Sequence, residues 1–301
     1  MDRAGRQVSG SGELPLRAPE WIRERKLRLA DLHSVKSVMR SNGLHTVCEE
    51  ARCPNRGECF ARGTATFLLL GDVCTRACGF CDIRTGRPLP VDPMEPWRVK
   101  SAALAMSLAF VVLTSVDRDD LPDGGAEHFA STIRALRTLA PVPGIEVLTP
   151  DFLGRFDSLR VVVDARPDVF NHNVETVPRL YRDVRRGARL DRSLGLLSAA
   201  KILDPDLTTK SGFMLGLGER EDEVRDLLER LSGAGVDIVT IGQYLRPSKE
   251  NLPVVEYVAP AVFERYREFG ASLGFRHVFA GPFVRSSYRA EEALAAASGG
   301  A

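Results

Sequence analysis

The sequence lacks several features that would place it in particular classes of protein. Its 41 basic and 40 acidic residues leave a formal net charge of +1, so no overall attraction to nucleic acid or to a membrane is expected. The first 20 residues contain no apolar core of a signal peptide, and the mainly apolar run 102–113 is too short to span a bilayer. No repeat of fixed period is present. These absences predict a cytoplasmic protein.

Cysteine is scarce, but its arrangement is informative. Without a secretory signal, six cysteines in 301 residues favour reduced, metal-binding thiols over a disulfide framework. They form two groups of three: Cys48, Cys53 and Cys59, then Cys74, Cys78 and Cys81. The first group has the spacing x4/x5 and the second x3/x2. Because the two spacings differ, a simple duplicated ferredoxin unit is excluded.

The second group is an incomplete ligand set. A four-iron cluster normally takes one protein ligand per iron, so three thiolates leave one iron able to bind a small molecule. Two alternatives are open. The spacing also suits one face of a buried helix, although Gly79 speaks against it. A zinc site, or a zinc-stabilised binding module, would need a distant donor such as His45 or His172.

From residue 66 onward, strand-like runs alternate with helical patterns, the rhythm that predicts a parallel sheet. The strand candidates are 66–71, 110–114, 145–149, 169–172, 212–215 and 238–243. Six such units predict an α/β fold, a partial (β/α)6 TIM-type barrel with its chemistry at the carboxyl ends of the strands. The triad that begins at Cys74 follows the first strand at that end.

The termini are predicted to lie outside this barrel. We expect a mobile tail over 1–18, an N-terminal cluster-binding extension over 19–64, the barrel over 65–284 and a short C-terminal segment over 285–301. Within the extension, apolar spacing predicts a helix over 31–39.

Several motifs together resemble one family, the lipoyl synthases of the radical S-adenosylmethionine (SAM) superfamily. The resemblance runs from about Trp21 to Arg289, and one departure is Phe60, where the family often has tryptophan. Besides the two cysteine groups, the matching segments are 43–51, 115–125, 171–176, 210–219, 243–248 and the Arg-Ser-Ser-Tyr motif 285–288.

The resemblance implies a sulfurtransferase. In this family two sulfur atoms are inserted at C6 and C8 of an octanoyl chain that is linked to a lysine of a lipoyl carrier domain. Each insertion consumes one SAM, whose adenosyl radical removes a hydrogen from an unactivated carbon. The cofactors implied are two [4Fe-4S] clusters, one SAM-cleaving and one auxiliary sulfur donor, together with SAM.

The resemblance also implies roles for individual residues. Cys74, Cys78 and Cys81 hold the SAM-cleaving cluster, while the first cysteine group holds the auxiliary cluster. Ser286 completes the auxiliary ligand set, with Ser287 as its alternative. Without the Arg-Ser-Ser-Tyr motif, Ser286 would be expected only to form ordinary hydrogen bonds.

Polar residues after the later strands are candidates for SAM binding. Asn171, Asn173 and Glu175 could hold its amino group or ribose, or form a satisfied loop. Lys210 lies in the fifth strand, and Glu219 could instead stabilise the start of the next helix.

The partners implied are lipoyl domains of 2-oxoacid dehydrogenases, the glycine cleavage H protein, a flavodoxin or ferredoxin as electron donor, and an iron–sulfur carrier protein. A run of arginines offers a hypothetical docking face for an acidic carrier domain, with a solvated helix face as the alternative. The run comprises Arg179, Arg182, Arg185, Arg186, Arg189 and Arg192.

Overall fold

The computed structural model describes residues 17–23, 43–46, 55, 58–59, 62–287 and 290–292. Four predictions therefore lie outside the described residues: most of the tail 1–18, the helix over 31–39, and the ligands Cys48 and Cys53.

One sheet of eight strands organises the described chain. Its strands are β1 (His45–Thr46), β2 (Thr64–Leu69), β5 (Phe110–Ser115), β6 (Gly144–Leu148), β7 (Val169–Asn171), β8 (Thr208–Leu215), β9 (Ile238–Gln243) and β10 (His277–Gly281), and the short pair β3 (Val73–Cys74) and β4 (Arg84–Thr85) forms a separate ribbon. The order is β1-β2-β5-β6-β7-β8-β9-β10. All neighbours from β2 to β10 are parallel, whereas β1 is antiparallel to β2.

Helices follow the strands along the chain. They are α1 (Glu20–Arg23), α2 (Glu95–Ala105), α3 (Ala126–Leu136), α4 (Phe156–Asp164), α5 (Tyr181–Val184), α6 (Leu190–Leu203), α7 (Glu221–Gly233) and α8 (Pro260–Ser272), with 3-10 turns at Phe152–Gly154 and Pro178–Leu180. None of the helices in the described ranges is long and apolar enough to cross a membrane.

Burial explains why these segments form these elements. All six residues of β2 are buried, as expected of a parallel strand that is covered on both faces. The helices are instead amphipathic: in α3, Phe129, Ile133 and Leu136 recur at helical spacing and are fully buried. The core therefore lies between the sheet and the helices that surround it.

The predicted fold class is confirmed, since all six strand candidates are present as parallel neighbours. The structure adds a seventh parallel strand, β10, in which Val278 is the one buried residue. Among the described strands, β2 and β10 do not pair with each other, so the barrel is open. The four-part division of the chain stays a prediction.

Candidate active site

A cavity of about 340 Å³ opens at the carboxyl ends of the parallel strands. Strand residues such as Thr66, Thr114, Gly212 and Thr240 form its walls, and the loops after the strands form its rim. Parallel strands end at one edge of the sheet, so residues far apart in sequence meet there. The cavity is lined by all three cysteines of the second group.

The cysteine loop, residues 74–81, is not a helix. It begins in β3 and continues as turns, with the backbone N–H of Cys81 bonded to the carbonyl of Cys78. The side chains of Cys74, Cys78 and Cys81 are partly buried. The alternative of three cysteines on one face of a core helix is therefore wrong.

A single zinc ion does not fit these thiols. In the part of the chain that the structure describes, no group of three His, Cys, Asp or Glu side chains comes close enough to hold one metal ion. His172 is fully buried, with Nδ1 2.8 Å from the Thr149 carbonyl and Nε2 2.9 Å from Ser193 Oγ. Separate thiols around one cavity suit a cluster, in which each cysteine binds a different iron.

The protein holds these thiols in an environment that disfavours their free anions. Burial, together with the nearby Asp117 carboxylate, raises the pKa of Cys74 to about 12. The same two causes raise the pKa of Cys78. Metal ligation requires thiolates, so these cysteines would bind a cluster in their deprotonated form, and the positive charge of its irons would supply the counterion that the protein does not.

Arg76 anchors the middle of the cysteine loop through three hydrogen bonds. Its Nε lies 2.7 Å from Asp119 Oδ2, and its NH2 lies 2.8 Å from Asp119 Oδ1 and 2.7 Å from Asp151 Oδ1. The Arg76 side chain is 5% exposed. Burial opposes ionisation of Asp151, but the bond from Arg76 lowers the pKa of that carboxyl to about 2. The loop after β2 is thus tied to those after β5 and β6.

Backbone contacts hold the other end of the cysteine loop. The Gly79 N–H donates to the Val184 carbonyl at 2.9 Å, and the Leu252 N–H donates to the Gly79 carbonyl at 2.9 Å. A Cβ atom on Gly79 would lie 2.8 Å from the Asp183 carbonyl oxygen, so only glycine fits here. The Asn251 amide also donates to the Cys81 carbonyl at 2.8 Å.

Two of the five predicted SAM-binding residues line the cavity, namely Asn173 and Glu175. Glu175 has φ 67°, a strained conformation that is uncommon outside glycine and that clusters at functional sites. Burial raises its pKa, an effect that the neighbouring Arg185 opposes. Both residues are placed to contact a bound ligand.

The other three candidates are not among the residues that line the cavity. Lys210 is fully buried, with Nζ 2.9 Å from Glu146 Oε2, and Asn171 Nδ2 lies 2.7 Å from Glu146 Oε1. Glu219 accepts hydrogen bonds from the backbone N–H groups of Gly216 and Leu217. These contacts order the strands and the loop that form the wall.

The C-terminal motif reaches the same cavity, since Ser286 and Ser287 both line it. The first cysteine group is linked to this motif through Asn55, whose Nδ2 donates to the Phe283 carbonyl at 2.7 Å. Cys59 is the one member of that group among the described residues, and its side chain is partly buried.

The arginine run does not form one docking face. Arg185 is buried and lines the cavity, with NH1 2.9 Å from Ser193 Oγ. Arg192 NH1 lies 3.1 Å from Asp151 Oδ2, and Arg179 pairs with Glu223. A hypothesis that includes Arg185 in an exposed face is therefore wrong, because its guanidinium points inward.

Two residues of the site were missed from the sequence. Asp117 and Asp151 directly follow β5 and β6, and their position at strand ends could have suggested a role. Arg76 was not singled out from the sequence either. Its partners could not be inferred from its neighbours in sequence.

Comparisons with known proteins identify the family. A family model for the Radical SAM superfamily matches residues 68–231. The lipoyl synthase of Methylococcus capsulatus is 54% identical over 93% of this chain and 88% of that protein. The lipoyl synthase of Caldanaerobacter subterraneus is 53% identical over 95% of this chain and 100% of that protein.

Solved structures with low sequence identity support the fold alone. Methylornithine synthase (PylB) matches with a TM-score of 0.54 and 14% identity, over 81% of this chain and 74% of that one. SuiB of Streptococcus suis bound to S-adenosylmethionine matches with a TM-score of 0.54 and 11% identity, over 73% of this chain and 52% of that one. By its sequence relatives, the chain belongs to the lipoyl synthase family of the radical SAM superfamily.

Proposed function

We propose that Cys74, Cys78 and Cys81 hold the SAM-cleaving [4Fe-4S] cluster of a lipoyl synthase. The enzyme inserts two sulfur atoms, at C6 and C8, into an octanoyl group bound to a lysine of a lipoyl carrier protein. It is a sulfurtransferase that uses SAM and two [4Fe-4S] clusters. The observation that supports the site assignment is that the three thiols line one cavity together with Ser286.

The donor set of the cavity suits this cluster. Three thiolates serve three irons and leave the fourth for SAM, and when bound the cluster supplies the electron that splits SAM. The residues of the chain do the positioning: Arg76 and Asn251 hold the cysteine loop, and the cavity walls would keep the octanoyl carbons beside SAM. Exclusion of water by these walls would protect a reactive carbon centre.

For the auxiliary cluster we assign the first cysteine group and Ser286, with Ser287 as the alternative. Cluster iron prefers soft thiolates, so the iron held by a serine oxygen would be the most easily released. A weak corner suits a cluster that gives its own sulfide to the substrate. The assigned ligands are Cys48, Cys53, Cys59 and Ser286.

For SAM itself we assign direct contacts to Asn173 and Glu175. Asn171, Lys210 and Glu219 would act indirectly, since they do not line the cavity and their side chains bond other protein groups. Replacing these three should therefore change the shape of the wall as much as it changes the affinity for SAM.

The remaining assignments concern the partner proteins, the cellular compartment and the domain boundaries. We propose lipoyl domains of 2-oxoacid dehydrogenases and the glycine cleavage H protein as carriers, with a flavodoxin or ferredoxin as reductant. An iron–sulfur carrier protein would restore the auxiliary cluster, and the cytoplasm is the proposed compartment. We also propose the division into a tail (1–18), a cluster-binding extension (19–64), a barrel (65–284) and a C-terminal segment (285–301).

Anaerobic incubation of the reconstituted chain with SAM, a strong reductant and an octanoylated carrier domain tests the proposal. Mass spectrometry should show a gain of two sulfurs on the carrier as the dithiol, and of two sulfurs less two hydrogens after air oxidation closes the disulfide. The chain should contain about eight irons and eight sulfides. Replacing Cys78 with alanine should abolish both SAM cleavage and sulfur insertion.

A matched variant of the first cysteine group separates the two clusters. Cys59→Ala should still cleave SAM but form no thiolated product, because only the sulfur donor is lost. Normal product from Cys59→Ala, or SAM cleavage by Cys78→Ala, would contradict the assignment of the clusters.

A further inference from the structure

The segment that carries Ser286 packs closely against the sheet. After β10, the Val284 N–H donates to the Gly281 carbonyl at 3.1 Å, and the Val284 side chain is buried. A Cβ atom on Gly242 in β9 would lie 2.2 Å from the Val284 carbonyl oxygen. No other residue fits at 242 unless this backbone moves, so the glycine sets how closely the segment approaches the cavity.

A second contact comes from the N-terminal side of the chain. Asn55 lies in sequence between Cys53 and Cys59, and it is 1% exposed. Its amide donates to the Phe283 carbonyl at 2.7 Å, three residues before Ser286. One hydrogen bond thus joins the first cysteine group to the serine motif, although the two residues are 228 positions apart.

Residues that follow Ser286 and Ser287 in the sequence also contact the barrel. Ala290 is fully buried against Phe110 and Val112, at the start of β5. The Thr64 hydroxyl donates to Glu291 Oε2 at 3.0 Å. Ser286 therefore lies between two fixed points of the chain.

We propose that Asn55 and Gly242 are positioning residues that hold Ser286 at the auxiliary cluster. This inference rests on the proposed function, in which Ser286 is a ligand. A serine oxygen is a poor match for cluster iron, so it competes with water only if its position is fixed in advance. Ordering a free segment would cost conformational entropy that a weak bond does not recover.

Single variants in a Cys74/Cys78/Cys81→Ala background, which should retain only the auxiliary cluster, test the proposal. We expect Gly242→Ala and Asn55→Asp to release iron to a chelator about tenfold faster than the parent. Both should also lose the Mössbauer signature of an oxygen-ligated iron, as Ser286→Ala should. Gly195→Ala is the matched control, because a Cβ atom there meets nothing within 4 Å.

The outcomes distinguish the positioning role of Asn55 and Gly242 from the role of Ser286 as a ligand. If Ser286→Ala alters release and signature while Gly242→Ala and Asn55→Asp do not, the positioning proposal is overturned and the ligand assignment stands. If Ser286→Ala changes neither, the assignment of the ligand itself fails. Should Gly242→Ala not fold, Asn55→Asp decides alone, since it keeps the size of the side chain and replaces its N–H donor with a carboxylate oxygen that repels the Phe283 carbonyl.

Discussion

Arg76 and Asp151 form a buried ion pair, with NH2 2.7 Å from Oδ1, although the residues lie 75 positions apart. Asp151 is fully buried, and its other oxygen bonds Arg192 at 3.1 Å. This pair connects the cysteine loop to the segment that follows β6. The shape of the cysteine loop is therefore set by the barrel as well as by the loop itself.

Replacing Arg76 with methionine should destabilise the metal-free protein by about 3–5 kcal/mol, because Asp151 is left as a buried, poorly compensated charge. Urea unfolding of the metal-free chain measures this. Arg267→Met is the control: Arg267 pairs with Glu264 on the surface of α8, and its loss should leave the free energy of unfolding nearly unchanged because water screens an exposed pair. Equal costs for the two variants would contradict the structural role of Arg76.

His172 should make stability depend on pH. Burial, reinforced by Arg185, lowers its pKa from 6.5 to about 3. The folded state therefore keeps this imidazole neutral, while the unfolded state binds a proton below pH 6.5. Its contribution is fully present above pH 6.5 and is lost as the pH falls toward 3, at about 1.4 kcal/mol per pH unit.

Comparison of the wild type with His172→Gln isolates this contribution. Between pH 6.5 and 5.5, the free energy of unfolding of the metal-free wild type should fall by about 1 kcal/mol more than that of the variant. Parallel pH profiles for the two proteins would show that His172 is not held neutral.

The buried pair Lys210–Glu146 should behave as a unit. Lys210→Met leaves the Glu146 carboxylate buried without its cation, which should cost about 3–5 kcal/mol. Adding Glu146→Gln should recover much of this loss, because the amide is neutral and can still accept the bond from Asn171. A double-mutant cycle in urea measures the coupling, and additive effects would contradict it.

Charge reversal should have different effects on carrier modification at Arg182 and at Arg185. Arg182 is exposed, so Arg182→Glu should slow modification of an acidic carrier several-fold at low ionic strength, and the effect should disappear in high salt. Arg185→Glu places a carboxylate inside the cavity, so it should abolish turnover at every salt concentration. Carrier modification followed by mass spectrometry measures both, with the exposed Arg230→Glu on α7 as control.

Equal salt dependence for the two reversals would contradict the inward placement of Arg185. No effect of Arg182→Glu at low salt would remove the remaining part of the docking hypothesis.

Much of the barrel could be predicted because its signals are local. The strands β2, β5 and β9 are almost continuously buried and mostly apolar, and turns separate them from amphipathic helices. β10 was missed as a strand because it is an edge strand of mixed burial, with only one buried residue. Its pairing with β9 depends on a neighbour 39 residues earlier, since His277 aligns with Ile238.

Polar partners were harder to predict than strands. Lysine is seldom fully buried unless it is paired. The sequence therefore suggested that Lys210 would be accessible to SAM. Its partner Glu146 is 64 positions away, and no local pattern connects the two. Arg185 likewise lay in a run that looked like an exposed basic face, and only the packing of α5 against the cavity turned it inward.

The sequence by itself determined the fold class, the grouping of the six cysteines and the family, because each of these depends on spacing or on short motifs. Only the tertiary structure decided which polar side chains meet: Arg76 with Asp151, Lys210 with Glu146, and Asn55 with the backbone before Ser286. The physical reason is that parallel strands bring distant loops to one edge. A contact there depends on register and packing across the whole sheet, and these are not encoded in any single segment.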